Sequence, residues 1–411
     1  MSLSNMAKIS DLSDELLVKI LSFLPTKVAV STSVLSKQWE FLWMWLPKLE
    51  YFDYDHITDR SESAFQTYRD FIANNLPLHR APIIESLSLG FRLGSLHPED
   101  LKSWVGIAVS RRVRELSICY FDYWDESQLL LPCSLYTCKS LVTLKLYGNN
   151  ILVDVPPTVC LPSLKTLQLE RVRYSNEDSL RLLLSDCPVL EDLSIVRDEN
   201  DNLRAVVVLV SSLQRFSLEI PGLCSSDGYV IVTPYLKYFK VVDYREGISY
   251  AIEHMPELEE ADIVVLQYPE KVLESVTFFK RLSLRVLFNS PRETVFRDGI
   301  VFNRLENLKL CIFSDDWSKL LVPLLKDSPN LRVLNLVVDD DSSDFGEYEP
   351  VRWENNQSSV PKCLLKCLKT FEFAGYKGRP EERDFLSFIF KHARRLKSSS
   401  ILRGSEPYHG F

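Results

Sequence analysis

A leucine frame, L-x-x-L-x-L, returns along most of this chain, and no other feature constrains its folding so tightly. Copies read LVTLKL (141–146), LKTLQL (164–169), LEDLSI (190–195), LQRFSL (213–218), LKYFKV (236–241), LENLKL (305–310) and LRVLNL (331–336). Weaker copies are IESLSL (84–89), VRELSI (113–118), LEEADI (258–263) and FKRLSL (279–284). Five copies share a longer signature of proline, any residue, leucine and a charge: PSLK, PVLE, PYLK, PELE and PNLR. Their leucines, Leu164, Leu190, Leu236, Leu258 and Leu331, stand 26, 46, 22 and 73 residues apart, which divide into one, two, one and three periods. A period of 22 to 26 lies in the range of leucine-rich repeats.

The physical consequence is an α/β solenoid. In each copy the x-L-x-L part is a short strand whose leucines point one way and whose intervening residue points the other. One unit cannot bury its leucines, so neighbours must stack and their strands form a parallel sheet. Roughly ten to twelve units are expected over residues 81–340. Between strands, EDSLRLLLSDCP (177–188) has helical spacing at Leu180, Leu183 and Leu184 with Pro188 as its stop. SKLLVPLLKDSP (318–329) reads as a helix start, an internal Pro323 and a proline stop, and such helices would form the convex side. An Asn follows the last strand leucine at Asn149, but Phe121, Val172 and Phe313 occupy that place in other copies. The repeats are therefore irregular.

The length fits this architecture, since 411 residues exceed what one compact core usually fills. A net charge of −8 argues against nucleic acid, whose phosphates select clustered Lys and Arg. RRVR (111–114) and ARRLK (393–397) read as solvated faces or weak caps. Nine irregularly spaced cysteines without C-x-x-C, and charges where a signal peptide needs an apolar run, point to reduced thiols in the cytoplasm or nucleus. The longest aliphatic block, AVVVLV (205–210), is too short to span a bilayer, so no membrane partner is expected.

No catalytic constellation emerges. The six histidines are scattered, no phosphate-cradling glycine loop or G-x-S-x-G occurs, and CLLKC (363–367) reads as a core pair. DDDSSDFGEYE (339–349) lacks the ligand spacing of a calcium loop and reads as a solvated connection over 341–359. No cofactor or metal is expected.

The first residues pose a different problem. In DLSDELLVKILSFLPTKVAVSTSVLSKQWEFLW (11–43), Leu16, Leu17, Ile20, Leu21 and Leu24 form an apolar helical stripe. Ser13 is positioned to cap that helix and Pro25 to stop it. Thr26 is positioned to cap a second helix carrying Val30 and Val34, and Ser36 a third carrying Trp39, Leu42 and Trp43. This module is too small to bury so much apolar surface by itself. It either packs on the rest of the chain or buries a face against another protein.

This segment resembles an F-box over residues 7–47, in the order D-L-x-D-x-L-L, x-I-L-x-F-L-P, S-V-L-S-K-x-W and L-W. Two departures are Ser13 where a proline is usual and Gln38 where an arginine is usual. At the other end, VPKCLLKCLKTFEFAGYKGRPEERDFLSFIFKHARRLK (360–397) is similar to the FBD domain of plant F-box/leucine-rich-repeat proteins. Its EERDFLSFIFKHARRLK has amphipathic helical spacing and would cap the open end of the repeats.

The resemblance implies a small all-α F-box (1–47), a helical linker (48–80) including AFQTYRDFIANNL, an irregular leucine-rich-repeat horseshoe (81–340), an acidic loop (341–359) and an FBD-type cap (360–411). It further implies a non-catalytic substrate receptor of an SCF-type ubiquitin ligase. The F-box would dock a Skp-family adaptor, and through it cullin, using Leu12, Leu16, Leu17, Ile20, Leu21, Leu24, Pro25, Val30, Val34, Leu35 and Trp39. An unknown protein target would meet outward strand positions, among them Lys145, Gln168, Lys240, Asp262, Lys309 and Asn335. Homo-oligomerisation is not expected. Two other readings stay open: a small-molecule sensor, and a repeat scaffold with no ligase role.

Overall fold

The computed structural model describes residues 9–52, 62–92, 96–121, 128–224, 228–245, 250–266, 269–287, 300–313, 317–338, 353 and 360–403. The chain forms two compact units, Met1–Leu203 and Arg204–Phe411.

The first unit opens with two α-helices, α1 (Asp14–Leu21) and α2 (Thr26–Ser31), followed by single 3₁₀ turns at Thr32–Val34 and Leu42–Trp45. Helices α3 (Glu62–Asn75), α4 (Pro98–Ser110) and α5 (Ser179–Ser185) follow. Six strands pair in parallel: Lys48–Phe52, Ser86–Arg92, Glu115–Phe121, Thr143–Tyr147, Thr166–Glu170 and Asp192–Val196. Their register aligns Leu49, Leu87, Leu116, Leu144, Leu167 and Leu193 in one row, and Tyr51, Leu89, Ile118, Leu146, Leu169 and Ile195 in the next. All twelve are buried. Stacking identical frames thus turns the sequence period into two continuous apolar ladders.

The second unit repeats the arrangement with eight parallel strands: Arg215–Ile220, Tyr238–Asp243, Glu260–Val265, Arg281–Val286, Asn307–Ile312, Val333–Val338, Thr370–Ala374 and Ser398–Leu402. Helices α6 (Glu270–Leu273), α7 (Trp317–Asp327), α8 (Lys362–Lys366) and α9 (Pro380–His392) belong to it. Every one of the eleven L-x-x-L-x-L copies enters a strand, and LKTFEF of the cap extends the same ladder.

Several expectations change. The third N-terminal helix is absent as an α-helix: residues 37–41 are turns, and Leu42–Trp45 is a 3₁₀ turn that buries Leu42, Trp43 and Met44. Thr26 does not cap α2. It lies within the helix, and its Oγ1 accepts the Glu50 amide at 2.8 Å. Lys48–Phe52, expected in a helical linker, is the first strand of the sheet. The helix expected to hold an internal Pro323 is present, and α7 runs through that residue. Some connections carry short strands rather than helices. These pair as Leu129–Leu130, Ile151–Val153 and Arg173–Tyr174 in the first unit, and as Ala205–Leu209, Gly228–Val232 and Tyr250–Ile252 in the second. The acidic connection lies outside the described residues except for Trp353, which is buried.

Candidate functional site

The apolar stripe of α1 splits in two. Leu17 and Leu21, one turn apart, are fully buried against the Leu42–Trp45 turn, where Leu42 and Trp43 are also buried. Leu16 and Ile20 lie about 100° round the same helix and are exposed, as is Leu24 after it. The eight-residue helix therefore has one face for its own core and one left over. Leu17 and Leu21 are thus core residues and not surface docking residues. Trp39 joins them in the interior, Leu12 and Val30 are half-buried, and Pro25 is exposed.

The left-over face is larger than the stripe implied. Val34 is 86% exposed and Leu35 67%, and two residues that the sequence reading passed over, Phe23 at 80% and Val28 at 45%, are exposed in the same module. A signal for them was present in the sequence: a module this small cannot bury apolar residues on every side of two short helices.

The module is held by bonds that set the direction of this face. The Gln38 side-chain amide donates to Leu12 O and Asp14 Oδ1, each at 3.3 Å, tying the segment after α2 to the start of α1. Met44 O accepts the amides of Arg80 (2.6 Å) and Ala81 (3.3 Å), and Pro47 O accepts that of Glu85 (2.7 Å). His79 is buried, with its Nε2 3.3 Å from Tyr51 Oη and its ring 5.2 Å from that of Trp43. Burial lowers its pKa to about 4, with Arg111 adding to the shift. The imidazole is neutral at pH 7.

The outward strand residues also come together as the frame requires. In the first unit, Ser88, Ser117, Lys145, Gln168 and Ser194 lie side by side, and Tyr147 Oη donates to Gln168 Oε1 at 2.5 Å. In the second, Ser217, Lys240, Asp262, Ser283, Lys309, Asn335 and Glu372 form a single rung across seven strands. Two positions along, on the same face, Val242, Val264, Cys311 and Ala374 are buried, and burial raises the Cys311 thiol. The outward face is polar along its middle rung and partly buried two positions along, where Glu219, Arg285 and Val337 are half-buried, which the repeat frame alone does not reveal.

The C-terminal motif has a structural logic of its own. Gly375 has φ +82°, and a Cβ there would sit 1.9 Å from Val338 O, so only glycine lets the chain pass the neighbouring strand. Glu382, buried in α9, accepts the amides of Lys377, Gly378 and Arg379 at 3.0, 2.7 and 2.9 Å. The G-x-x-x-x-x-x-E spacing thus builds the turn into the cap helix. Among the described residues, no group of three His, Cys, Asp or Glu could hold a metal, and no helix is long and apolar enough to cross a membrane.

Three families match this chain in the order of these parts. Residues 9–51 match the F-box domain, residues 101–264 match the LRR repeats of FBD-associated F-box protein At5g56370, and residues 355–401 match FBD. The putative FBD-associated F-box protein At5g56700 of Arabidopsis thaliana is 77% identical over 405 residues, covering 98% of this chain and 100% of that protein. The chain belongs to the FBD-associated F-box proteins. Two more relatives from the same plant agree. FBD-associated F-box protein At5g60610 is 61% identical across 96% of this chain and all of its own length. The putative FBD-associated F-box protein At5g56690 is 65% identical across 97% of this chain and all of its own length. F-box proteins are in general non-catalytic substrate adaptors of SCF ubiquitin ligases, and an F-box implies binding to a Skp-family adaptor.

Proposed function

We propose that this FBD-associated F-box protein is the substrate-recognition subunit of an SCF-type ubiquitin ligase. Its F-box docks the adaptor through the exposed face of α1 and α2, and the outward strand rung receives a protein target. The observation that carries this reading is the run of exposed apolar side chains Leu16, Ile20, Phe23, Leu24, Val34 and Leu35 on a module whose own core is already filled by Leu17, Leu21, Trp39 and Trp43. Burying six such side chains offers about 1.5–3 kcal/mol each. Leu16, Ile20 and Leu24 are already half-buried or more and give less than this, while association costs on the order of 4–15 kcal/mol, so the gain is of the order that a complex requires.

The contribution is positional. Holding a target beside a loaded conjugating enzyme raises the effective concentration of its lysines, a tethering effect that needs no catalytic side chain here. Lys145 and Gln168 in one unit, and Lys240, Asp262, Lys309 and Asn335 in the other, are the residues we assign to target contact. All nine cysteines are free thiols, which suits the cytoplasmic or nuclear setting we assign to the protein.

The test is co-purification with a plant Skp-family adaptor. Wild type should form a stable complex, and Leu16→Asp/Ile20→Asp should lose it while keeping the wild-type unfolding midpoint. Absence of a complex with folded wild type would overturn the ligase reading.

A further inference from the structure

The two terminal strands of the described sheets are treated differently. At Lys48–Phe52, α2 reaches over and Thr26 Oγ1 takes the Glu50 amide. At Ser398–Leu402 all five residues are exposed, including Ile401 at 40% and Leu402 at 48%. This strand pairs only with Thr370–Ala374 among the described residues. Ser398 N donates to Lys369 O and Leu402 O accepts from Tyr376 N, so Ser398, Ser400 and Leu402 turn their backbone groups inward. By alternation, Ser399 and Ile401 direct their N–H and C=O groups to the outer edge. Edge strands are ordinarily blunted by a charge, a proline or a bulge. SSSIL has no charge and no proline.

The surroundings are strongly basic. From Lys391 to Arg403 the chain carries Lys391, Arg394, Arg395, Lys397 and Arg403, all exposed, and no Asp or Glu. Lys369, exposed on the neighbouring strand's approach, adds to them, its carbonyl accepting the Lys397 amide at 2.8 Å. Glu372 is the acidic residue that the adjoining strand brings in register, opposite Ser400. Of the three acids on α9, Glu382 is committed to the amides before that helix and Asp384 to the Trp353 amide, while Glu381 stands half-buried in its first turn. A protein of net charge −8 has thus gathered positive charge at both ends of one open edge.

We propose that the Ser398–Leu402 edge takes up an extended acidic peptide segment of a partner protein as an added strand. The peptide's backbone pairs with Ser399 and Ile401, and its carboxylates meet Lys397 and Arg403. Main-chain pairing gives such an interaction its affinity, and flanking side chains give it selectivity. The open backbone edge favours a peptide over a nucleic acid, since phosphates have no use for alternating donors and acceptors. The proposal does not depend on adaptor docking and is tested on the full chain alone.

Fluorescence anisotropy with a labelled peptide of sequence Glu-Val-Glu-Thr-Glu-Val-Glu-Thr reads it out, against the same peptide with lysine for glutamate and against a short oligo-dT. The acidic peptide should bind, more weakly as salt rises, and the lysine peptide should not. Ile401→Pro removes an outward N–H without breaking a bond to the neighbouring strand. It should weaken binding about tenfold or more, equivalent to about 1.4 kcal/mol, at an unchanged unfolding midpoint, while Ile401→Val should bind as wild type. Lys397→Glu/Arg403→Glu should reverse the preference between the two peptides.

Three results would overturn the proposal. One is absence of acidic-peptide binding. Another is oligo-dT binding equal to that of the peptide and insensitivity to Ile401→Pro, which would leave a plain basic patch. The third is peptide binding that appears only after Asp339, Asp340 and Asp341 are replaced by Asn, which would give the edge to the chain's own acidic stretch.

Discussion

Trp43 and His79 meet at right angles, their ring centroids 5.2 Å apart, and this contact joins the F-box to the start of the repeat sheet. The imidazole is buried and also faces Tyr51 Oη on the first strand. Its folded pKa of about 4, lowered chiefly by burial, lies below the unfolded value near 6.5. The unfolded chain therefore binds the proton first as pH falls. The stability held by a neutral His79 is complete above about pH 6.5 and is lost progressively as pH drops to about 4. The slope is about 1.4 kcal/mol per pH unit across that window. Urea unfolding at several pH values should show this slope in wild type and a shallower one in His79→Gln. Equal slopes in both proteins would remove His79 from the account.

The two faces of α1 make opposite predictions. Leu17 has no exposure, so Leu17→Ala should cost about 2–5 kcal/mol of stability through the cavity it leaves. Val34 is almost fully exposed, so Val34→Ala should change stability by less than about 0.5 kcal/mol. Adaptor affinity should fall for Val34→Ala in the folded protein. A destabilised Val34→Ala, or an unaffected Leu17→Ala, would reverse the assignment of the faces.

The pattern of what the sequence revealed follows from physics. Leu144, Leu167 and Leu193 were legible as core because stacking is the one way a short period-two frame can bury its leucines. The outward neighbours Lys145, Gln168 and Ser194 then followed by alternation. Leu17 and Leu16 were not separable by that reasoning, since a stripe that includes i and i+1 is wider than one contact face, and only the position of the Leu42–Trp45 turn decides which half is inside. Phe23 and Val28 sit beyond the stripe and carried no periodic signal. Trp353 was hidden by composition: an acidic, serine-rich surrounding reads as solvated whatever single aromatic it contains.

Glu382 gathers three amides from the turn before α9. Hydrogen bonds to a charged acceptor are each stronger than neutral ones, and a buried site magnifies the difference. Glu382→Gln keeps the shape and loses the charge, and should cost about 1 kcal/mol. Glu382→Ala leaves buried amides without their acceptor and should cost about 3 kcal/mol. Urea midpoints of the two variants give the comparison. Equal, near-zero effects would mean that the turn holds without the carboxylate.

Trp353 is the described residue of the acidic connection, and it closes the aromatic cluster of the cap. Its ring lies 4.6 Å from that of Phe385, 5.6 Å from Phe388 and 6.2 Å from Trp317, by centroids, and its amide donates to Asp384 Oδ2 at 2.9 Å. Both α7 and α9 thus bury aromatic surface against one side chain supplied from between them in sequence. Trp353→Ala should cost about 3–5 kcal/mol by removing that ring from a packed site. Trp353→Phe retains part of the cluster and should cost less. The backbone bond to Asp384 survives both changes, so the difference between the variants measures the ring alone. Thermal unfolding of the full chain reads it out, and a Trp353→Ala protein as stable as wild type would show that the cap stands without this clamp.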